Sequence, residues 1–591
     1  MADELNQQLG SAEIFWNLTD LYNSIEDPNV NEDIAWCEQE AVAIKTESAG
    51  TVANLSAQGL MALVTRLEKL ETRLGKLSTF AFLNFTTQTQ NAAAGAFLQK
   101  LKEAGSRISR ETVFFELEWS SLADEKCQEL LADKTLTTYL HHLTSMRRYA
   151  KHLLSQTEET LLIEKSPVGR GSWTNLFDKV MGHLKFGEQQ RSEEEVLTDL
   201  YSPDREVRKQ AATELTEGLK SQLHILTHIF NTLLADKMID DRLRKYPSWV
   251  SSMNLYNELN DNSVDILIAA VTSRYDIVQR YYKMKAKLLA LPELTDYDRY
   301  APLPHLPTET VAWPQCREMV LTAFRDFSPK MGEIAENFFS KQWIHAPLME
   351  GKRGGAFAHP CVPEVHPYVM VNYTGSLRDI STVAHELGHG VHQFLAAERG
   401  YYNSSTTLVL AETASVFAEL LLFNSQLNLL QDEAGKKAFI CQKLESIFAT
   451  VFRQVSMNRF ENLAHNARRE AGELSHQQLS EHWLSTQRAM FADSVKLRDD
   501  YAIWWSYIPH FLSTPGYVYS YAFGELLVLA LYDLYKKDSE SFVPKYLELL
   551  AAGGSKSPYE LVKPFGVDLD DPSFWQGGLN TIDEMLRLVE E

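Results

Sequence analysis

The chain has 591 residues, 45% of them hydrophobic and 23% charged, which is ordinary for a soluble globular protein large enough for two or more cores. Its formal net charge of −22 comes with no basic stripe, which excludes a nucleic-acid binder, since phosphate contacts need clustered Lys and Arg. Five scattered cysteines (37, 127, 316, 361 and 441), odd in number and without paired spacing, exclude a cysteine zinc site and fit reduced thiols in a cytosol.

The opening Met-Ala-Asp-Glu-Leu-Asn-Gln-Gln is acidic and polar, unlike a secretory signal, and apolar runs such as 526–532 are too short to cross a bilayer. A cytoplasmic protein with no membrane partner is therefore expected. Amphipathic stretches rich in Leu and Ala predict helices within 60–101, 130–164, 204–237, 264–289 and 436–468, broken by turn-rich points at 166–171, 201–204, 302–307 and 552–557. No repeat, low-complexity tract or Gly/Ser linker interrupts them, so the domains are expected to pack together. Residues 1–190 read as a helical N-terminal lobe and 195–591 as a catalytic lobe.

Between these helices the chemistry begins. Gly354-Gly355-Ala356-Phe357 suits a loop passing close to a substrate backbone, and the stretch from Val365 to Tyr373 is the clearest strand. Because its core begins with Pro367, it reads as an edge strand open to an extended peptide. Ser376 and Asp379 then form a capping box that starts a helix near Leu377, with an apolar face of Ile380, Val383, Ala384, Leu387, Val391, Phe394 and Leu395. Off that stripe lies His385-Glu386-Leu387-Gly388-His389, the HExxH signature of zinc metallopeptidases. Two imidazoles one turn apart supply two corners of a zinc tetrahedron, and Glu386 stands beside the open position as a base for a metal-activated water. Gly388 leaves room near the metal for substrate.

A third ligand is needed. A histidine ten positions after His385 would make the protein a metzincin, but residue 395 is Leu. His392 shares the face of His385 but lies about 10 Å further along the axis, too far to converge on the same ion. Ala411-Glu-Thr-Ala-Ser-Val-Phe-Ala-Glu419 supplies Glu412 and Glu419 on one face of a second helix. Glu412 is taken as the third ligand of a single Zn2+, with Glu419 and His392 placed around the ion or on the substrate side. Further on, Ile508 to Gly524 holds His510, Gly516, Tyr517, Tyr519 and Tyr521. A helix after Gly516 would put Tyr517 and Tyr521 on one face, whereas a strand would put all three tyrosines together.

These segments resemble the oligoendopeptidase F branch of the thimet-oligopeptidase-like zinc peptidases, which are gluzincins. Pro367 to His392 is similar to that branch's active-site segment, with HExGHxxH met by His385, Glu386, Gly388, His389 and His392. Glu412-Thr-Ala-Ser415 resembles its Glu-x-x-Ser segment, and Trp16 to Tyr22 and Ser166 to Trp173 also resemble this branch. The resemblance implies a mostly α fold, two helical lobes enclosing a deep substrate channel, with a small β-sheet beside the zincin helix. It implies a zinc-dependent endopeptidase of short, unfolded oligopeptides, with His510, Tyr517 and Tyr521 stabilising the transition state. Tyr519, Gly355 and Tyr373 are further expected against the substrate. A helical zinc carboxypeptidase, a silent peptide-binding protein with structural zinc, and a purely structural helical protein are the rival readings.

Overall fold

A computed structural model of the chain describes residues 2–305 and 310–590. Residues 306 and 307 of the expected turn at 302–307 lie outside the described residues. The fold is mostly helical with one small sheet. The expected stretch 204–237 is one helix, Arg205–Leu243, and others are subdivided. The stretch 60–101 becomes Ala57–Thr86 and Ala92–Thr112; 264–289 becomes Asp261–Thr272 and Tyr275–Leu288; 436–468 becomes Glu433–Thr450 and Phe452–Ala471. Asn91 caps the second helix of the first pair by accepting hydrogen bonds from the amides of Ala93 and Ala94, so a break that hydropathy does not register is written in the cap.

Two compact units are each assembled from separated stretches of chain. Met1–Ala150, Thr308–Leu429 and Leu534–Val567 make the first; Lys151–Pro307, Leu430–Asp533 and Asp568–Glu591 make the second. Neither unit has a boundary between 190 and 195, where the sequence is divided into lobes. In the first unit the N-terminal helices share a core that includes Leu60, Leu67, Leu77, Phe80 and Trp119. In the second, the long helix Arg205–Leu243 contributes Leu215, Ile229 and Phe230 to a core with Phe460, Trp483 and Trp505.

The sheet belongs to the first unit and has three strands: β1 (Ile344–His345), β2 (Phe357–His359) and β3 (Tyr368–Met370), in the order β1-β3-β2. β3 runs parallel to β1 and antiparallel to β2, so the segment around Pro367 is the centre of the sheet and not its edge. The reason lies in its composition: Tyr368, Val369 and Met370 are all buried, and Tyr368 and Met370 enter the N-terminal helical core. Val371 and Tyr373 extend the ladder by donating to the carbonyls of His345 and Ala346. The edge strand on the other side is β2.

Against β2 and β3 packs the helix Leu377–Ala396, hereafter the histidine helix. Its capping box is present as read from the sequence: the Asp379 amide donates to Ser376 Oγ at 3.2 Å, and the Ser376 amide donates to the Asp379 carboxylate at 3.1 Å. Its main helical partner is Leu408–Leu429, the glutamate helix. Among the described residues this is the one helix long and apolar enough to cross a membrane, which corrects the expectation that no segment reaches that length. Two thirds of its apolar window is buried inside the protein, as in a core helix.

Gly388 sets how closely these two helices approach. A Cβ there would lie 2.6 Å from the Ala414 carbonyl oxygen and 2.7 Å from Ser415 Cα. The glycine therefore makes room for the neighbouring backbone and not for substrate, contrary to the sequence reading. Gly388→Ala removes a helix-interior glycine that costs about 1 kcal/mol, yet forces backbone against backbone at a cost of about 1–3 kcal/mol. The expected result is a lower thermal transition midpoint by calorimetry; an unchanged or raised midpoint would show that the two helices have slack.

Candidate active site and metal centre

The histidine helix and the glutamate helix bring His385, His389 and Glu412 together, with their ligand atoms all within 4.8 Å of one another. His385 Nε2 lies 3.4 Å and His389 Nε2 3.5 Å from the same oxygen, Glu412 Oε2. The two imidazoles meet edge to face, with ring centroids 4.8 Å apart at 82°. Zinc bonds of about 2.1 Å in a tetrahedron place neighbouring ligand atoms about 3.4 Å apart, so these separations are the edges that such an ion requires. The donor set of two neutral imidazoles and a carboxylate also suits zinc.

The surrounding groups prepare that donor set. Glu419 Oε1 accepts a hydrogen bond from His385 Nδ1 at 2.6 Å, which fixes the tautomer and leaves the Nε2 lone pair toward Glu412. Ser415 Oγ donates to Glu412 Oε2 at 2.9 Å, orienting the carboxylate from the same helix. Burial alone would lower the His385 pKa, but the Glu419 hydrogen bond and the charges of Glu419, Glu412 and Glu386 outweigh it and raise it to about 9. For Glu412 burial pushes upward, and the hydrogen bond and charge from His389, with His385 and Ser415, hold it at about 2. The carboxylates thus attract positive charge onto His385, as a cation site would.

Glu386, one residue along the histidine helix, is buried and lies between this cluster and β2. Burial raises its pKa, opposed by the charges of His385 and His389 and by the nearby Ala358 backbone. Ala358 is the middle residue of the edge strand, and its carbonyl lies 3.5 Å from Nε2 of Gln393, about two turns further along the same helix. The edge strand thus lies beside the helix that carries Glu386. The sequence reading missed Ala358 and Gln393, because nothing in a short Ala-His-Pro run signals which strand lies outermost.

Other residues singled out in the sequence fall elsewhere. His392 is buried in the histidine helix, where burial lowers its pKa to about 4 and keeps it neutral. Tyr373 is wholly buried, its hydroxyl donating to the Val311 carbonyl and its ring edge-on to Trp313, so it anchors the segment before the histidine helix and does not face substrate. Gly355 has φ +78 and open space around its Cβ position; its carbonyl accepts from Asn372 Nδ2, holding the turn that leads into β2.

The aromatic cluster lies in the second unit. After Gly516 the chain turns into the helix Tyr519–Lys537, and Tyr517 and Tyr521 meet edge to face with centroids 4.8 Å apart. His510 joins them: the Tyr521 hydroxyl is 3.4 Å from its Nε2, and the Tyr517 ring lies 6.3 Å away, nearly parallel. Burial, then the charge of Arg453, lowers the His510 pKa and favours its neutral imidazole. Tyr519 is set apart from this pair. It is fully buried, and its hydroxyl accepts from Asn257 Nδ2 at 2.9 Å, because the helical geometry turns it to the opposite side.

Glu461, overlooked in the sequence, holds this loop. Its Oε1 accepts from the Gly516 amide at 2.8 Å, and its other oxygen is buried without a partner among the described residues. Burial raises this carboxyl to about 8. Gly516 sits at φ +82, a conformation open to glycine, with Trp249, Val250 and Met253 around its Cβ position. A usable signal was present: Glu461 is in helical phase with the buried Met457, Ala464 and His465.

Comparison with known proteins adds the following. The model of peptidase family M3 matches residues 199–581, and that of oligopeptidase F matches residues 118–186. Oligopeptidase PepF of Bacillus subtilis is 28% identical over 599 residues, covering 98% of this chain and 87% of its own. An oligoendopeptidase F homolog of Lactococcus lactis is 24% identical, covering 98% and 97%. Oligoendopeptidase-F of Enterococcus faecium superposes with a TM-score of 0.72 at 21% identity over 95% of this chain and 98% of that one, and PZ peptidase A with 0.76 at 16% over 97% and 99%. At such identities the structures speak for the fold alone.

Glu419→Gln removes the charge that orients His385. The expected result is a 10- to 100-fold loss of zinc affinity in chelator competition, about the usual cost of losing such a partner. Unchanged affinity would separate Glu419 from the metal centre.

Proposed function

The chain belongs to peptidase family M3, a family of metallopeptidases, and from that premise we propose that it is a zinc endopeptidase cutting internal bonds of short, unfolded peptides. That it is a peptidase acting on oligopeptides follows from the family. The observation that carries the finer reading is the convergence of His385 Nε2 and His389 Nε2 on one Glu412 oxygen, at 3.4 and 3.5 Å, with Glu386 alongside. His385, His389 and Glu412 would hold one Zn2+, with Glu419 fixing the first of them. Bound there, zinc supplies Lewis acidity, lowering the pKa of water and polarising the scissile carbonyl.

Glu386 takes the proton from the attacking water and returns it to the leaving amine, and its raised pKa favours both transfers near neutrality. The C–N bond breaks as the nitrogen is protonated. The resemblance gives His510 with Tyr517 or Tyr521 the role of oxyanion donor, and Glu461 keeps their loop in place through Gly516. β2, the outer strand beside the histidine helix, is the edge along which an extended peptide would run, which gives affinity without demanding particular side chains. Such pairing needs an unfolded strand, which supports short peptides as substrates.

We further assign residues 195–591 as the catalytic domain and 1–190 as the N-terminal lobe; the family-model matches at 199–581 and 118–186 fall on either side of that division. A cytoplasmic location, with neither nucleic acid nor membrane as partner, completes the proposal; the acidic charge and dispersed cysteines support it.

Glu386→Gln is expected to keep one zinc per chain by elemental analysis while turnover falls by about 10²- to 10⁴-fold, the usual worth of a positioned base. Normal turnover in a zinc-loaded variant would remove Glu386 from the chemistry. Mass spectrometry of products separates the exopeptidase reading: a peptide blocked at both ends is expected to be cut internally, and activity on free ends alone would favour a carboxypeptidase.

A further inference from the structure

The motif Ser166-Pro-Val-Gly-Arg-Gly-Ser-Trp173 has no part in the chemistry so far, and it lies in the second unit with the His510 loop. Ser166–Val168 forms a single 3-10 turn, and after Gly169 a new helix, Arg170–His183, begins. The join is tight. A Cβ on Gly169 would lie 3.1 Å from the Lys165 carbonyl oxygen, and one on Gly171 3.1 Å from that of Ser166. Arg170 is thereby fixed in the first turn of the helix. One turn on, the Trp173 ring meets His228 of the long helix Arg205–Leu243 edge to face, with centroids 5.4 Å apart.

From there the Arg170 guanidinium reaches the loop that carries His510. Its Nη2 donates to the Leu512 carbonyl at 3.0 Å and to the Ser513 carbonyl at 3.5 Å. Its Nη1 lies 3.8 Å from the Asp236 carboxylate of the long helix, which braces the cation from the other side. Leu512 and Ser513 end the one-turn helix His510–Ser513, and the last carbonyls of a helix have no helical N–H to accept from. A cation is favoured at such an end, and a guanidinium can serve two neighbouring carbonyls at once. The loop is thus pinned twice: by Arg170 at Leu512 and Ser513, and by Glu461 at the Gly516 amide, 2.8 Å away. Next to these anchors stand His510 and Tyr517.

We propose that Arg170 is a positioning residue for peptide hydrolysis: through the Leu512 and Ser513 carbonyls it holds His510 where that imidazole donates to the oxyanion. The proposal rests on the reading of His510 with Tyr517 or Tyr521 as oxyanion donors. It gives the motif at 166–173 a function and makes the segment before residue 190 part of the catalytic machinery.

The test uses the full-length, zinc-loaded enzyme and a peptide blocked at both ends. In Arg170→Ala, kcat is expected to fall about 10- to 100-fold, as a small misplacement of a reacting group costs, while KM and zinc content stay as they were. A donor that acts in the transition state and not in the ground state gives that split. In a His510→Ala background, Arg170→Ala should cost nothing further, because the group it positions is gone. Three results overturn the proposal. Unchanged kcat in the folded variant removes Arg170 from the reaction. A raised KM at unchanged kcat makes Arg170 a substrate contact. The same loss repeated in the His510→Ala background shows that Arg170 acts by another route. Should Arg170→Ala fail to fold, Arg170→Lys keeps the charge without the fork, and a smaller loss of kcat at unchanged KM, again absent beside His510→Ala, is expected; the same three results overturn the proposal there. Failure of the underlying reading looks different: His510→Ala by itself turns over at the rate of the unaltered enzyme.

Discussion

The distance between two helices at Gly388 governs everything around the metal centre. One carboxylate oxygen of Glu412 must stand within a tetrahedral edge of two imidazole nitrogens, and it does so because the glutamate helix backbone touches the histidine helix where a side chain is missing. A single methyl group there would contact Ala414 and Ser415, and Ser415 is the residue that orients Glu412. The glycine's cost in helix propensity, about 1 kcal/mol, is offset by burying the apolar partners on either side. The HExGH string is thus a packing instruction as well as a source of candidate ligands.

A second constraint runs from the same helix to the sheet. The Ala358 carbonyl, 3.5 Å from Gln393 Nε2, sets β2 beside the helix that carries Glu386. The sheet in turn is held by β3, whose three residues are buried and whose ladder continues through Val371 and Tyr373 to the cap at Ser376. Rigid support on both flanks leaves the site itself as the place where unsatisfied charge accumulates: three glutamates around two histidines. That arrangement is costly without a cation and stable with one.

Much of this was legible in the chain. Periodicity and the capping box located the histidine helix, and helical spacing chose Glu412 over His392, because 3.6-residue geometry makes i and i+7 too distant along an axis. What sequence left hidden was three-dimensional adjacency. Pro367 suggested an edge strand, yet two partners pair with that segment, since a short buried Tyr-Val-Met run has no polar face to leave exposed. Gly388 read as room for substrate because a sequence shows that a side chain is missing but not which neighbour uses the space. Tyr519 joined its neighbours on paper, and the helix turned it into the core. Glu461 carried a visible signal, a carboxylate in phase with buried residues, but its partner Gly516 is 55 positions away.

The most direct test of the metal centre is a crystal structure of the zinc-loaded protein with anomalous data collected at the zinc edge. The account predicts one peak per chain, about 2.0–2.2 Å from His385 Nε2, His389 Nε2 and a Glu412 oxygen. A peak at other residues, or none at these in a protein that retains stoichiometric zinc, would contradict it.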